Sequence, residues 1–273
     1  MKLTPSPTLE WSQLLQDPSG KRLHKPRLNG LTMVMDKGLG MHAFEDMITT
    51  SYEHIDVIKL GFGTSVIVPR AIIEAKIALA KAHNIYIMPG GTLLEIAFVK
   101  GVVHEFFQTI RAIGFNAIEV SDGTISLSRK ERNQLIQEAI SYGLHVSTEY
   151  GKKLEHSEFV LDQLAETYLE DLANGAAWMT LEGRESGAGV GIYNQQGNCD
   201  ERLIEDILAC IPYPEQLMWE APNKKQQLSI IKRAGTNANL GNVAPSDIIA
   251  LEALRRGLRS DTMIDHVAYY YDI

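Results

Sequence analysis

Eight times along this chain a short apolar run turns polar and is followed by a helical pattern, and this rhythm constrains the fold more than any other feature. The first four runs are LTMVMDKG (31–38), VIKLGFG (57–63), YIMPGGT (86–92) and AIEVSDGT (117–124). The next four are HVSTEYGKK (145–153), WMTLEGRESG (178–187), LMWEAPNK (217–224) and NLGNVAP (239–245). Most are brief and continuously apolar before the polar residues begin, as expected of parallel strands buried on both faces. The intervening segments carry helix punctuation. In SRKERNQLIQEAISYG, Ser128 and Glu131 have capping-box spacing, Leu135, Ile136, Ala139 and Ile140 form an apolar stripe, and Gly143 supplies the stop. In PRAIIEAKIALAKAHN, Pro69 suits the first helical position, Ile72, Ile73, Ile77 and Ala80 face inward, and Asn84 ends the helix. Ser246 is expected to cap DIIALEALRR and Gly257 to close it.

Eight strand–helix units about thirty residues long predict a (β/α)8 TIM barrel. A doubly wound open sheet is the alternative, but eight units with no change of rhythm favour closure. No linker rich in Pro, Gly or Ser divides the 273 residues, so one domain spans 1–273. Its barrel covers about 31–262, and residues 1–30 form an extension over one end.

Composition narrows the function. Hydrophobic residues make up 45% and charged residues 22%, those of a soluble chain with a large core. A formal charge of -8 argues against general binding to nucleic acid or an anionic membrane. The two cysteines, Cys199 and Cys210, form no CxxC or Cys/His group and read as free thiols in a reducing compartment. The start, MKLTPSPTLEWSQLLQDPSG, has neither signal-peptide nor anchor character, so a cytoplasmic location is expected. The eight histidines show no HxH or HExxH pattern, and His42, His83 and His104 fall in helical stretches. Zinc catalysis and serine-hydrolase chemistry are therefore disfavoured.

In barrels of this kind the C-terminal ends of the strands form the catalytic face. Here polar residues crowd that end: Asp36 and Lys37, then Lys59, then Glu119, Ser121 and Asp122. Glu149, Lys152 and Lys153 follow, with Glu182, Arg184 and Glu185, then Glu220, Asn223 and Lys224, and lastly Asn242. A single charge beyond a strand is ordinarily a solvated loop residue. Lys59, Glu119, Glu182 and Glu220 differ, because each has apolar neighbours in a run expected to be buried. Buried charges need partners or a ligand. Gly-rich GFGTS, PGGT and ESGAGVG let backbone approach a ligand, although none is a Walker loop or a full dinucleotide fingerprint. Converging carboxylates suit a hard cation such as Mg2+.

The strand-end series DKG, KLGFGTS, PGGT, SDG, TEYGKK, EGRESG, WEAPNK and LRRGLRSDT closely resembles the phosphosulfolactate synthase family, from about Lys25 to about Thr262. The family pattern commonly has Trp at Phe62, Tyr at Met88 and Phe at Trp219; bulk and apolarity are kept at all three. Plant heat-stress proteins also belong to it and diverge around strands seven and eight. This chain keeps EAPNKKQQ and NVAPSD, so it resembles the enzymatic branch.

The resemblance implies a lyase-type synthase joining sulfite to phosphoenolpyruvate, with Mg2+, to give (2R)-phospho-3-sulfolactate through an enediolate. Archaeal members of the family act in coenzyme M biosynthesis; sulfolactate formation is the other outlet. Against the overall charge, Lys37, Lys59, Lys152, Lys153, Arg184 and Lys224 supply a local cationic field, and Ser186 and Asn242 join the expected substrate-binding set. The acid is Lys152 or Lys153, with the resemblance favouring Lys153, and Glu149 beside them. Metal-ligand candidates are Glu149, Glu182 and Glu220, followed by Asp122 and Glu185. A homo-oligomer is expected. Rival readings are a Schiff-base aldolase on the same fold and a non-enzymatic heat-stress-type protein.

Overall fold

A computed structural model describes residues 11–152, 159–184 and 186–267. All eight anticipated strands form: β1 Thr32–Asp36, β2 Val57–Leu60, β3 Tyr86–Pro89, β4 Ala117–Val120, β5 His145–Tyr150, β6 Trp178–Leu181, β7 Leu217–Glu220 and β8 Asn239–Val243. Every ladder is parallel, in the order β3-β2-β1-β8-β7-β6-β5-β4. Helices between them complete a (β/α)8 barrel. Among the described residues no backbone ladder joins β3 to β4. A side chain bridges that seam: Asn116 Oδ1 accepts from Ile87 N at 2.7 Å and Nδ2 donates to Ile85 O at 3.4 Å.

Strand periodicity divides the apolar residues into two cores. Val34, Ile58, Ile87, Ile118, Val146 and Met179 point outward and pack under the helices. Met33, Val57, Met88, Ala117, Trp178 and Met218 point inward and fill the barrel. Two residues beyond Val57, Ala117 and Met218, the same inner face carries Lys59, Glu119 and Glu220. Alternation alone thus places charge directly above the apolar plug, at the C-terminal mouth.

The helices match their sequence signals except at four positions, Ile140, Pro69, Ile72 and Ser246. Ser128 Oγ accepts from Glu131 N and Glu131 Oε2 accepts from Ser128 N, the expected capping box, and Gly143 (φ 73°) stops that helix. Ile140, expected on the apolar stripe, is exposed, because it lies beyond the arc covered by the barrel. Pro69 is the residue before the helix Arg70–Ala82 rather than its first, and Ile72 is only partly buried. Ser246 does not cap its helix. A 3-10 turn over Pro245–Asp247 precedes the helix Ile248–Arg255, and Ser246 Oγ donates to Asp247 instead. Gly257 (φ 73°) closes that helix as expected.

The described part of the N-terminal extension runs beneath the barrel. Arg22 pairs with Glu252 at 3.0 Å, Arg27 pairs with Asp56 at 2.8 Å, and Lys25 Nζ donates to the carbonyls of Tyr52, Ile55 and His83. Among the described residues no helix is long and apolar enough to cross a membrane.

Candidate active site

Lys59 stands at the centre of the mouth, 6% exposed. Its ammonium lies 2.8 Å from Glu119 Oε2, 3.2 Å from Glu220 Oε1 and 3.5 Å from Glu149 Oε2. Burial disfavours the charged amine, but the three carboxylates outweigh that and hold its pKa well above the ordinary lysine value. Lys59 is therefore a fixed cation. Its ammonium thus meets three carboxylates from three different strands in one buried layer.

Backbone donors steady the carboxylates. Gly91 N donates to Glu119 Oε1 at 3.2 Å, and Gly183 N donates to Glu220 Oε2 at 2.9 Å. Position 91 must be glycine for this approach, since a Cβ there would sit 2.8 Å from Glu119 Oε1 and 2.5 Å from Ser121 Oγ. Tyr193 OH donates to Glu220 O. Glu182, 4% exposed, accepts from Arg184 N at 2.7 Å and lines the same cavity of about 340 Å3 as Lys59, Glu119, Glu149 and Glu220.

Four of the described non-glycine residues have positive φ, and three of them surround this cavity: Phe62 (56°), Arg184 (58°) and Asn242 (55°). Such backbone costs of order 1–3 kcal/mol for a residue other than glycine and collects at functional sites. Among the described residues, the Arg184 guanidinium has no hydrogen-bond or ion-pair partner, and the buried Asn242 Oδ1 has none either. Asn242 and Met35 also line an adjoining lobe of about 400 Å3, together with Lys37, Leu39, Pro222 and Pro245. Lys37 places its ammonium 5.9 Å from the centre of the Phe62 ring. The mouth is thus two connected lobes, acidic below and ringed by Arg184, Lys37 and Asn242.

Lys152, Asp122 and Lys224, also expected in the site, pair outside this mouth. Lys152 Nζ donates to Asp122 O at 2.6 Å, Asp122 Oδ2 at 2.8 Å and Ile125 O at 2.9 Å, clamping the loop after β4. Asp122 also pairs with Arg132 at 3.1 Å, and both line a separate cavity of about 330 Å3 with Arg129 and Thr167. Lys224 pairs with Asp261 at 2.7 Å. Ser186 is at the rim of the acidic lobe. Lys153 and Glu185 lie outside the described residues.

Glu119, seen in the sequence as a buried charge but given no role, makes the shortest contact to Lys59. The signal was its place: the third residue of AIEV, as Lys59 is the third of VIKL. Gly61, Gly90 and Gly91 line the mouth as the GFGTS and PGGT segments led one to expect, with the Phe62 side chain beside them, whereas Met35 was not anticipated there.

The carboxylate layer fits a hard cation in donor type. Among the described residues no three His, Cys, Asp or Glu side chains form a ready ligand cluster, because these carboxylates converge on Lys59 and on backbone N–H groups. Mg2+ commonly takes only one or two protein carboxylates beside substrate oxygens, so its binding does not require a preformed cluster of three.

The chain can be compared with known proteins at this point. It is 39% identical over 244 residues to the phosphosulfolactate synthase of Methanothermobacter thermautotrophicus, covering 89% of this chain and 94% of that one. It is 37% identical over 245 residues to the phosphosulfolactate synthase of Bacillus subtilis, covering 88% and 95%. The Arabidopsis thaliana Protein HEAT-STRESS-ASSOCIATED 32 is 24% identical over 260 residues, covering 86% and 88%. Among solved structures, the DHDPS of Cyanidioschyzon merolae shares the fold, with a TM-score of 0.54, 10% identity and coverage of 89% and 82%. The family model for (2R)-phospho-3-sulfolactate synthase matches residues 20–261, and this chain belongs to that family of enzymes.

Proposed function

We propose that the enzyme adds sulfite to phosphoenolpyruvate and releases (2R)-phospho-3-sulfolactate. The observation that carries this reading is the pairing of a buried carboxylate–Lys59 layer with the Arg184 guanidinium, unpartnered among the described residues, in the lining of one mouth. In the reaction the sulfite sulfur forms a bond to the methylene carbon, the π pair moves toward the substrate carboxylate, and a proton then adds to the phosphate-bearing carbon. Two anions must be held side by side. Arg184, Lys37 and Asn242 border the two lobes and supply the donors for that task. Glu149 and Glu182, seconded by Glu220, would hold Mg2+, which supplies a Lewis acid where charge gathers. Lys59 pairs with Glu149 and Glu220 and holds them in place.

Lys153 is the proposed proton donor. Lys152 directs its N–H groups at the β4 loop, and Lys59 is held charged too firmly to release a proton readily. The same property argues against a Schiff-base aldolase, which needs a neutral lysine amine. The product then serves either coenzyme M or sulfolactate formation. The test is phosphorus NMR of enzyme with sulfite, phosphoenolpyruvate and Mg2+. A new phosphate-ester resonance, lost with excess chelator and restored by Mg2+ or Mn2+, is expected. Unchanged phosphoenolpyruvate would defeat the reading, and full turnover in chelator would defeat its metal step.

A further inference from the structure

Asp36 ends β1, yet by strand alternation it points away from the barrel axis into the helix layer, where it is completely buried. Its Oδ2 accepts from Lys76 Nζ at 2.6 Å. Lys76 lies on the inner face of the helix Arg70–Ala82, 1% exposed, with its ammonium 5.2 Å from the centre of the Phe44 ring. The other carboxylate oxygen, Oδ1, accepts from both Gly38 N and Leu39 N at 2.7 Å. A buried ion pair is weak evidence for a stabilising role, because apolar residues of similar size often serve as well. What apolar residues cannot do is take two N–H groups from the loop that carries Lys37. Gly38 has φ 117°, and Lys37, Gly38 and Leu39 all line the second lobe of the mouth.

We infer that Asp36 and Lys76 are positioning residues: they hold the β1 loop so that Lys37 meets the anionic substrate from a fixed direction. The ion pair with Lys76 orients the Asp36 carboxylate, and the hydrogen bonds it accepts from the loop are charge-assisted and short, at 2.7 Å. The strut acts from outside the barrel and touches no reacting atom. The inference rests on the proposed function for its substrate, but the loop geometry can be measured without turnover.

In Lys76→Met, the KM for phosphoenolpyruvate should rise at least about tenfold while kcat stays within about threefold, the pattern of lost substrate positioning. Gly38 and Leu39 amides should exchange with deuterium at least about tenfold faster than in wild type, the signature of released loop hydrogen bonds. The double variant Asp36→Leu/Lys76→Met, which leaves neither a buried charge nor an acceptor for the two loop N–H groups, should show the same KM rise if the single variant fails to fold. In wild type both amides should be protected like those of β1. A KM within about twofold of wild type in either folded variant overturns the inference. So does rapid wild-type exchange at Gly38 and Leu39, whatever the variants do. If wild type fails to join sulfite to phosphoenolpyruvate, the proposed function falls, and the exchange measurements alone decide the strut.

Discussion

Lys59→Met tests the electrostatic heart of the mouth. The substitution keeps much of the side chain's bulk and removes the ammonium that faces Glu119, Glu149 and Glu220 at 2.8, 3.5 and 3.2 Å. Breaking a buried pair from one side costs about 3–5 kcal/mol, and here one removal exposes three partners to mutual repulsion. The carboxylates answer by holding protons. Their folded pKa values rise above the unfolded ones, so the variant is least penalised at low pH and loses stability as pH climbs through the raised values. Each proton retained only in the folded state makes the loss about 1.4 kcal/mol per pH unit. Urea unfolding of wild type and variant at pH 5 and pH 8 reads this directly, with the larger gap expected at pH 8. Mg2+ should narrow the gap by binding the folded carboxylates. A difference below about 1 kcal/mol that does not change with pH would refute the coupling.

Arg184→Ala should weaken binding of an anionic substrate by about 1.5–3 kcal/mol, the worth of a hydrogen bond to a charged group; unchanged affinity by calorimetry for both phosphoenolpyruvate and sulfite removes it from the site. Lys153→Met should lower kcat by about 10²–10⁴ and spare phosphoenolpyruvate binding, as for a positioned acid. Lys152→Met should cost no more than about 1 kcal/mol of stability and act through the β4 loop; if it abolishes turnover while Lys153→Met does not, the acid is Lys152. At the opposite end of the barrel, burial pushes the Glu252 carboxyl upward, but Arg22, Arg256 and neighbouring cations pull it down to about 2 from the ordinary 4.5. Its contribution, about 3 kcal/mol, is present above pH 4.5 and fades as pH falls toward 2. Glu252→Gln should be less stable than wild type at pH 7, and the difference should shrink in acid; a constant difference would reject the linkage.

The barrel was legible because its strands repeat one local grammar, an apolar run interrupted by charge. VIKL and AIEV put Lys59 and Glu119 at matching places, and strand periodicity carries both to the inner face. Long side chains beyond the strands were not legible. Lys152 and Lys224 looked like mouth cations, but each found its carboxylate on a distant segment, Asp122 in one case and Asp261 in the other. Such choices depend on loop shape, which no short window of sequence encodes. Asp36 was grouped with the mouth charges, although alternation from Met35 sends it outward. Its partner Lys76 stands between Ile73 and Ile77 on an apolar stripe, an inward-facing charge that the helical pattern displays. The open seam between β3 and β4 leaves no sequence trace, since Asn116 reads as an ordinary loop residue.

That seam makes the barrel, topologically, a curled ribbon whose two edges are stitched by an amide side chain. The strands bearing the two ends of the chain, β1 and β8, are ladder partners in the middle of the ribbon. Joining the native termini through a linker and reopening the chain near Gly101, between the helices Gly91–Lys100 and Val103–Ile113, would give strands whose order along the chain equals their order across the sheet. Such a circular permutant gives up no strand ladder, and Asn116 still faces Ile87. The protein therefore has a natural alternative beginning, set where its sheet is already cut.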